Sequence, residues 1–229
     1  DEYLNECRRM GFQVLAPDVN ESILFFAAVG EDIRFGLGAV RNVGSNVVEG
    51  IRQAREAKGR FESFHDFLTK VPLPVVNKRT IESLIKAGAF DSLGSTRRAL
   101  IEIHEAAVES TVKDKRNEES GAVGFDFDSL FAEAGEAMST QVPERPEWSK
   151  KDKLAFEKEM LGLYVSDHPL AGLEAQLAKH AGMTILDLAS SESLQDGDQV
   201  SIAGLVTTVQ HRIAKKSGNP YGSVTVEDF

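Results

Sequence analysis

The sequence predicts a mainly α-helical fold with small β elements, and three observations predict it. Helical runs with one apolar face, each stopped by a glycine, fill most of residues 45–110. Short β-like runs flank turn signals in only two places, near residue 30 and near residue 217. A polar stretch from Thr111 to about Trp148, rich in Lys, Asp, Glu, Ser, Gly and Pro, reads as a linker between a front and a rear part.

Taken in order, Glu2–Met10 reads as a short helix ended by Gly11, and Phe12–Ala16 as an extended piece before Pro17. Ile23–Val29 and Ile33–Leu37 are β-like and joined by Gly30-Glu31-Asp32, a hairpin signal. The segment Ile33–Val48 then places glycines at 36, 38 and 44 among apolar residues. Within it, Val40–Val48 has helix-hairpin-helix spacing: a short apolar helix, a turn of x-x-h-G type, and a second helix over Ser45–Lys58 that carries Arg52, Arg55 and Lys58. Gly44 is expected to turn the backbone with positive φ, and Asn42 is one of the few other residues tolerated there. Ser45 or Asn46 can cap the helix that follows.

Phe61, Phe64, Phe67 and Leu68 recur at helical spacing and read as core rather than as a stacking platform. Asn77 can cap a helix over Lys78–Ala87, with Ile81, Leu84 and Ile85 on one face; Gly88 ends it. Ser95 or Thr96 caps a further helix to about Ser110, so a second Gly-punctuated helical pair follows the first. Beyond the linker, Ser149–Leu161 is helical and breaks at Gly162, and another helix follows His168-Pro169 to about His180. Gln199–Gln210 alternates with an irregularity at Gly204, Lys215–Pro220 is a turn, and Tyr221–Val226 returns. These last runs open an antiparallel meander with too few strands to close.

The overall charge of −10 resolves by region. Residues 30–104 hold twelve basic against nine acidic residues, whereas 105–148 hold four against eleven. The only net-basic region contains the glycine turn. No apolar run approaches the roughly 18 residues of a membrane span. Cys7 is the single cysteine, so no internal disulfide forms and a reducing cytosol fits. The chain begins at Asp1 without methionine and reads as a piece of something longer.

Nothing resembles an active site. The five histidines have no metal spacing, Cys7 has no partner constellation, and Asp126-x-Asp128 lies in the acidic tract with no strand behind it to fix a metal. The candidate chemistry is binding. Exposed N–H groups at a helix start hold a phosphate without reading sequence. The backbone around Asn42, Val43, Gly44, Ser45 and Asn46, and at Gly88 in the second pair, is the candidate grip, with Lys78, Arg79, Lys86, Arg97 and Arg98 as supporting cations. An ordinary αα-corner with solvated basic faces is the other reading. In the linker, Phe125–Phe131 is an apolar island. Leu130 and Phe131 can anchor it in a partner's groove, or the island can fold back onto the body.

Four segments in colinear order carry a resemblance. Glu6-Cys-Arg-Arg-Met-Gly11, Phe35-Gly-Leu-Gly-Ala-Val-Arg-Asn-Val-Gly44, Leu84-Ile-Lys-Ala-Gly-Ala-Phe-Asp91 and Glu157-Lys-Glu-Met-Leu-Gly-Leu-Tyr-Val-Ser-Asp-His-Pro-Leu170 resemble the C-terminal half of the bacterial C-family replicative DNA polymerases. Ala203–Val206 and the Lys215–Gly222 turn resemble the opening strands of that family's OB domain. The resemblance implies the rear of the fingers over residues 1–30, a tandem helix-hairpin-helix region on duplex DNA over 31–110, an acidic linker over 111–148, a helical connector over 149–196, and a truncated OB-type β-barrel over 197–229. It also implies a sliding-clamp peptide at Phe127, Asp128, Leu130 and Phe131, with Phe127 where the family usually has Gln. The implied partners are duplex DNA, the β sliding clamp, other replisome subunits and, through a completed OB barrel, single-stranded template, in the cytoplasm. The Mg²⁺-binding palm carboxylates of the family lie upstream, so this chain is expected to hold neither catalytic residue nor cofactor. A non-catalytic helix-hairpin-helix protein of repair or recombination, and an error-prone paralogue of the polymerase, are the alternatives.

Overall fold

The computed structural model describes residues 6–7, 9–119, 141–191 and 193–228. The chain divides into two compact units, Asp1–Ser166 and Asp167–Phe229. In the first, a small sheet precedes the helices. Strands β1 (Val14–Leu15), β2 (Ala27–Val29) and β3 (Asp32–Arg34) are ordered β1-β3-β2, with β1 parallel and β2 antiparallel to β3. The pairing of Val29 with Asp32 leaves a two-residue turn, and Gly30 at φ 64 supplies its positive φ. Gly36 and Gly38 serve packing: a Cβ on Gly36 would lie 2.5 Å from the Phe25 carbonyl carbon, and one on Gly38 would lie 2.6 Å from Leu24 Cδ1.

Helix α1 (Ser45–Lys58) buries Val48, Ile51 and Ala54 on one stripe and ends at Gly59, φ 82. The Ser63 hydroxyl caps α2 (Phe64–Lys70), whose Phe64, Phe67 and Leu68 enter the core. Phe61, Phe64, Phe67 and Phe90 meet edge-to-face at centroid distances of 4.9–5.3 Å, so the phenylalanines are core as expected. Asn77 caps α3 (Lys78–Lys86) by accepting from the Thr80 N–H, and Ile81, Leu84 and Ile85 are fully buried.

The next helix, α4 (Arg97–Glu119), runs well past Ser110. Its buried stripe continues through Ala107, Val108 and Thr111 with Val112 partly buried, and Lys115 Nζ reaches the Thr69 carbonyl at 2.6 Å. The linker expected from Thr111 therefore begins as helix. Ser149 caps α5 (Lys150–Leu161), which ends at Gly162, φ 79. This helix belongs to the first unit: it buries Leu154, Glu157 and Met160, and Arg41 N–H donates to the Met160 carbonyl at 2.9 Å. The stretch expected as a connector is thus divided, its first helix serving the core of the hairpin region.

The second unit carries α6 (Glu174–His180), α7 (Ile185–Ser190) and a β-hairpin. Thr184 and Asp187 form a reciprocal capping box at the start of α7. Strands β4 (Leu205–Ile213) and β5 (Pro220–Glu227) pair antiparallel with an irregularity between Val206 and Thr208. Gly204 is required where the strands converge, since a Cβ there would lie 2.5 Å from the Glu227 carbonyl oxygen. Val206, Val209, Ile213 and Val224 are each more than half exposed. Two strands do not close a barrel, consistent with the truncated OB-type unit expected. The molecule is mainly α with small β elements.

Candidate nucleic-acid interface

The first turn, Val40–Gly44, is fixed from three sides. Val40 and Val43 are buried in the core, 3% and 6% exposed. Arg41 N–H is bonded to the end of α5. The Asn42 side-chain amide donates to Ser83 Oγ at 2.9 Å, Ser83 donates onward to the Arg79 carbonyl at 2.9 Å, and Thr80 Oγ1 donates to the Asn42 carbonyl at 3.3 Å. Helix α3 therefore grips the turn through two buried hydroxyl residues.

Asn42 holds the positive φ, 65°, and Gly44 does not: its φ of −80° and ψ of 162° are those of a helix N-cap. Ser45 is the first helical residue, so neither it nor Asn46 caps α1. The expected roles within the turn are corrected accordingly. An Asn tolerates the left-handed region and here gains a side-chain anchor on Ser83. Gly44 leaves the cap position without a side chain, and a Cβ placed there meets nothing within 4 Å. No conformational or packing demand within the described residues calls for glycine at 44.

The result is an open helix start. Asn42, Gly44, Ser45 and Asn46 are exposed, and their backbone N–H groups have no acceptor among the described residues. The first turn of α1 carries no acidic side chain. Such a cluster of amide donors at the positive end of a helix favours an anion.

The cations sort into free and engaged. Arg79, on α3 beside the turn, is exposed and makes no ion pair among the described residues; the same holds for Arg41, which only its adjacency to Asn42 marks in the sequence. Lys78 is held by Glu109 at 2.5 Å and Glu105 at 3.2 Å, and those carboxylates raise its pKa. Lys86 pairs with Glu82 at 2.7 Å and lies 5.1 Å from the Phe156 ring. On α1, Arg52 is bound by Glu49 and Glu56, while Arg55 turns inward to the Val19 and Ser22 carbonyls, where burial pulls its pKa down.

The second turn is built differently. Gly88, at φ 83, is covered by Arg97: a Cβ would lie 2.3 Å from Arg97 Nη2. Gly88 N–H is already bonded to the Ile85 carbonyl and Ala89 N–H to that of Leu84. Arg97 is itself 1% exposed. It pairs with Asp91 at 2.6 Å and Glu157 at 2.9 Å, and burial, which lowers its pKa, is outweighed by those two carboxylates, so the net shift is upward. Glu157, also fully buried, spends its other oxygen on the Val165 and Ser166 amides. The Gly88 turn and the Arg97 guanidinium are thus core structure rather than candidate phosphate contacts. Arg98 remains exposed, but its N–H and that of Arg97 are bonded to the Glu147 carboxylate at 3.3 and 3.0 Å. Neither Glu147 nor Glu157 could be found from sequence, being 50 and 60 residues from Arg97 with no local pattern to link them.

The clamp-peptide residues Phe127, Asp128, Leu130 and Phe131, with Asp126, lie outside the described residues. No described helix is long and apolar enough to cross a membrane.

A helix-hairpin-helix motif family matches residues 11–100. The chain is 52% identical to the DNA polymerase III subunit alpha of Saccharopolyspora erythraea over 99% of its length. It is 46% identical to that of Mycobacterium tuberculosis over 99%, and 39% identical to that of Thermus aquaticus over 95%. It spans 19% of the first two relatives and 17% of the third. Identity is thus sustained along nearly the whole of this chain with about a fifth of the DNA polymerase III α subunits it matches.

Proposed function

We propose that this chain holds the sugar–phosphate backbone of duplex DNA for a replicative DNA polymerase whose nucleotidyl transfer takes place elsewhere. The observation that carries this reading is the open set of amides on Asn42, Gly44, Ser45 and Asn46, fixed in place by α3 and α5. Backbone N–H groups contact phosphate oxygens alike on any sequence, and Arg41 and Arg79 add charge without base recognition. A polymerase needs that kind of contact to move along its product. Similarity to polymerase α subunits along the chain favours this over a stand-alone repair protein, and the helix-hairpin-helix match supports DNA as the ligand.

In this reading Leu130 and Phe131, with Phe127 and Asp128, dock on a β sliding clamp, in the cytoplasm and alongside other replisome subunits. A clamp contact of modest affinity raises the local concentration of the DNA grip and turns rebinding into processive synthesis. The acidic tract is repelled from DNA and stays available to the clamp. Mg²⁺ belongs to the palm of the whole enzyme, and a completed OB barrel is the site for single-stranded template.

The test is duplex binding by the full chain across a salt series, read beside clamp binding. Only a few phosphates are engaged, so log K should fall against log salt with a slope of about −2 to −4. The double variant Leu130→Ala with Phe131→Ala should lose clamp binding and keep the slope. A flat salt response would reject the phosphate reading, and undiminished clamp affinity would reject the docking peptide.

A further inference from the structure

The start of α4 is covered by the chain itself. Residues 142–148 form a strap across it. The Glu147 carboxylate takes the Arg97 and Arg98 amides, one oxygen to each, at 3.0 and 3.3 Å. The Arg145 carbonyl accepts from Thr96 Oγ1 at 3.0 Å, and the Arg145 guanidinium grips Glu102, one turn along α4, with bonds of 2.8 and 2.9 Å. Behind this, Trp148 packs on Phe156 of α5 at 4.5 Å. Between the strap and Gly94–Thr96 lies a cleft of about 470 Å³.

The local cap at the start of α4 serves one amide and leaves those of Arg97 and Arg98 to an outside acceptor. The Thr96 hydroxyl already accepts from the Ala99 N–H at 3.2 Å, the ordinary local solution for a helix start. The carboxylate is an additional anion, brought from 50 residues away, laid across two consecutive amides as a phosphate would be. Beside it Arg98 is exposed; among the described residues it makes no close ion pair, and its charge acts on Glu102 together with that of Arg145.

We propose that the strap is an autoinhibitory contact: Glu147 competes in cis with the DNA backbone at the second turn and confines the resting grip to the first. The proposal rests on the phosphate reading of the first turn. It is an intramolecular competitor, present at high effective concentration, so free duplex displaces it only in part. Its outer hold is releasable, because Arg145 and Glu102 are 45% and 48% exposed and salt screens their attraction.

Arg145→Ala gives the sharpest test. It removes a cation, so simple electrostatics lowers DNA affinity; release of the strap raises it. In the full chain, duplex affinity is expected to rise severalfold at low salt, with the log–log slope steeper by about 0.9, one added phosphate. Glu147→Gln is expected to act in the same direction and by more than Glu144→Gln, which removes the same charge from an exposed strap position with no bond to α4 among the described residues. Melting curves show whether each variant is folded. Lower or unchanged affinity for Arg145→Ala overturns the strap, as does equality of Glu147→Gln with Glu144→Gln. Salt-insensitive binding by the unaltered chain would instead overturn the phosphate reading itself.

Discussion

The two helical turns share a sequence style and differ in what their helix starts do. At the first, Gly44 leaves the cap empty and the amides of residues 44–46 face outward. At the second, Arg97 fills the space over Gly88, and the amides of residues 97–99 are all bonded, two to Glu147 and one to Thr96. One helix start leaves its amides open, as the proposed phosphate grip requires; the other has a carboxylate of its own chain across them. Two arginines one helix apart have opposite fates for the same reason. Arg79 lies outside the core and has no ion pair among the described residues, whereas Arg97 points into it and is consumed by Asp91 and Glu157.

The largest effect that sharpens this contrast is on stability. Arg97→Ala leaves Glu157 buried without its cation, and breaking a buried pair from one side costs about 3–5 kcal/mol. Denaturant midpoints check it. A near-neutral result would mean that Arg97 is not the strut assigned here. Asn42→Ala comes next: a Cβ-bearing residue without the local amide is strained in the left-handed region by about 1–2 kcal/mol. The bond to Ser83 is lost as well. Asn42→Gly should recover most of the backbone part, and equal losses for the two would show that the side-chain bond dominates.

Smaller effects concern binding alone. Arg79→Ala should lower the magnitude of the salt slope by about 1 with no change in melting, as expected for a single phosphate contact. Lys78→Ala should change it less, since Glu105 and Glu109 already hold that ammonium. Equal slopes for the two variants would break the division into free and engaged cations.

Much of the fold was legible because its signals are local. Ser45–Lys58 and the Asn77-capped helix fall where apolar spacing and glycine stops put them, and the phenylalanines pack as their spacing implies. Strand ends were less legible: the alternating run begins at Gln199, whereas β4 begins at Leu205, after Gly204. The end of α4 was missed because its last turns are polar outside and buried only on a narrow stripe through Thr111. The candidate site was half legible. Asn42–Asn46 could be named from spacing, but which residue takes positive φ depends on Ser83, distant in sequence. The fates of Arg97 and Gly88 depend on Glu157 and Glu147, which no periodicity connects to them.

The most direct test of the open turn separates stability from binding at one position. Gly44 has ordinary N-cap dihedrals and open space where a Cβ would stand. Aspartate is a better N-cap than glycine by a few tenths of a kcal/mol, so Gly44→Asp should fold as well as the parent or slightly better. The same carboxylate would occupy the anion position of the first turn, as Glu147 does at the second. Duplex affinity at low salt should fall by about tenfold or more, roughly 1.4 kcal/mol, with a shallower salt slope. A well-folded Gly44→Asp protein that binds duplex DNA as tightly as the parent would contradict the assignment of the phosphate grip to this turn.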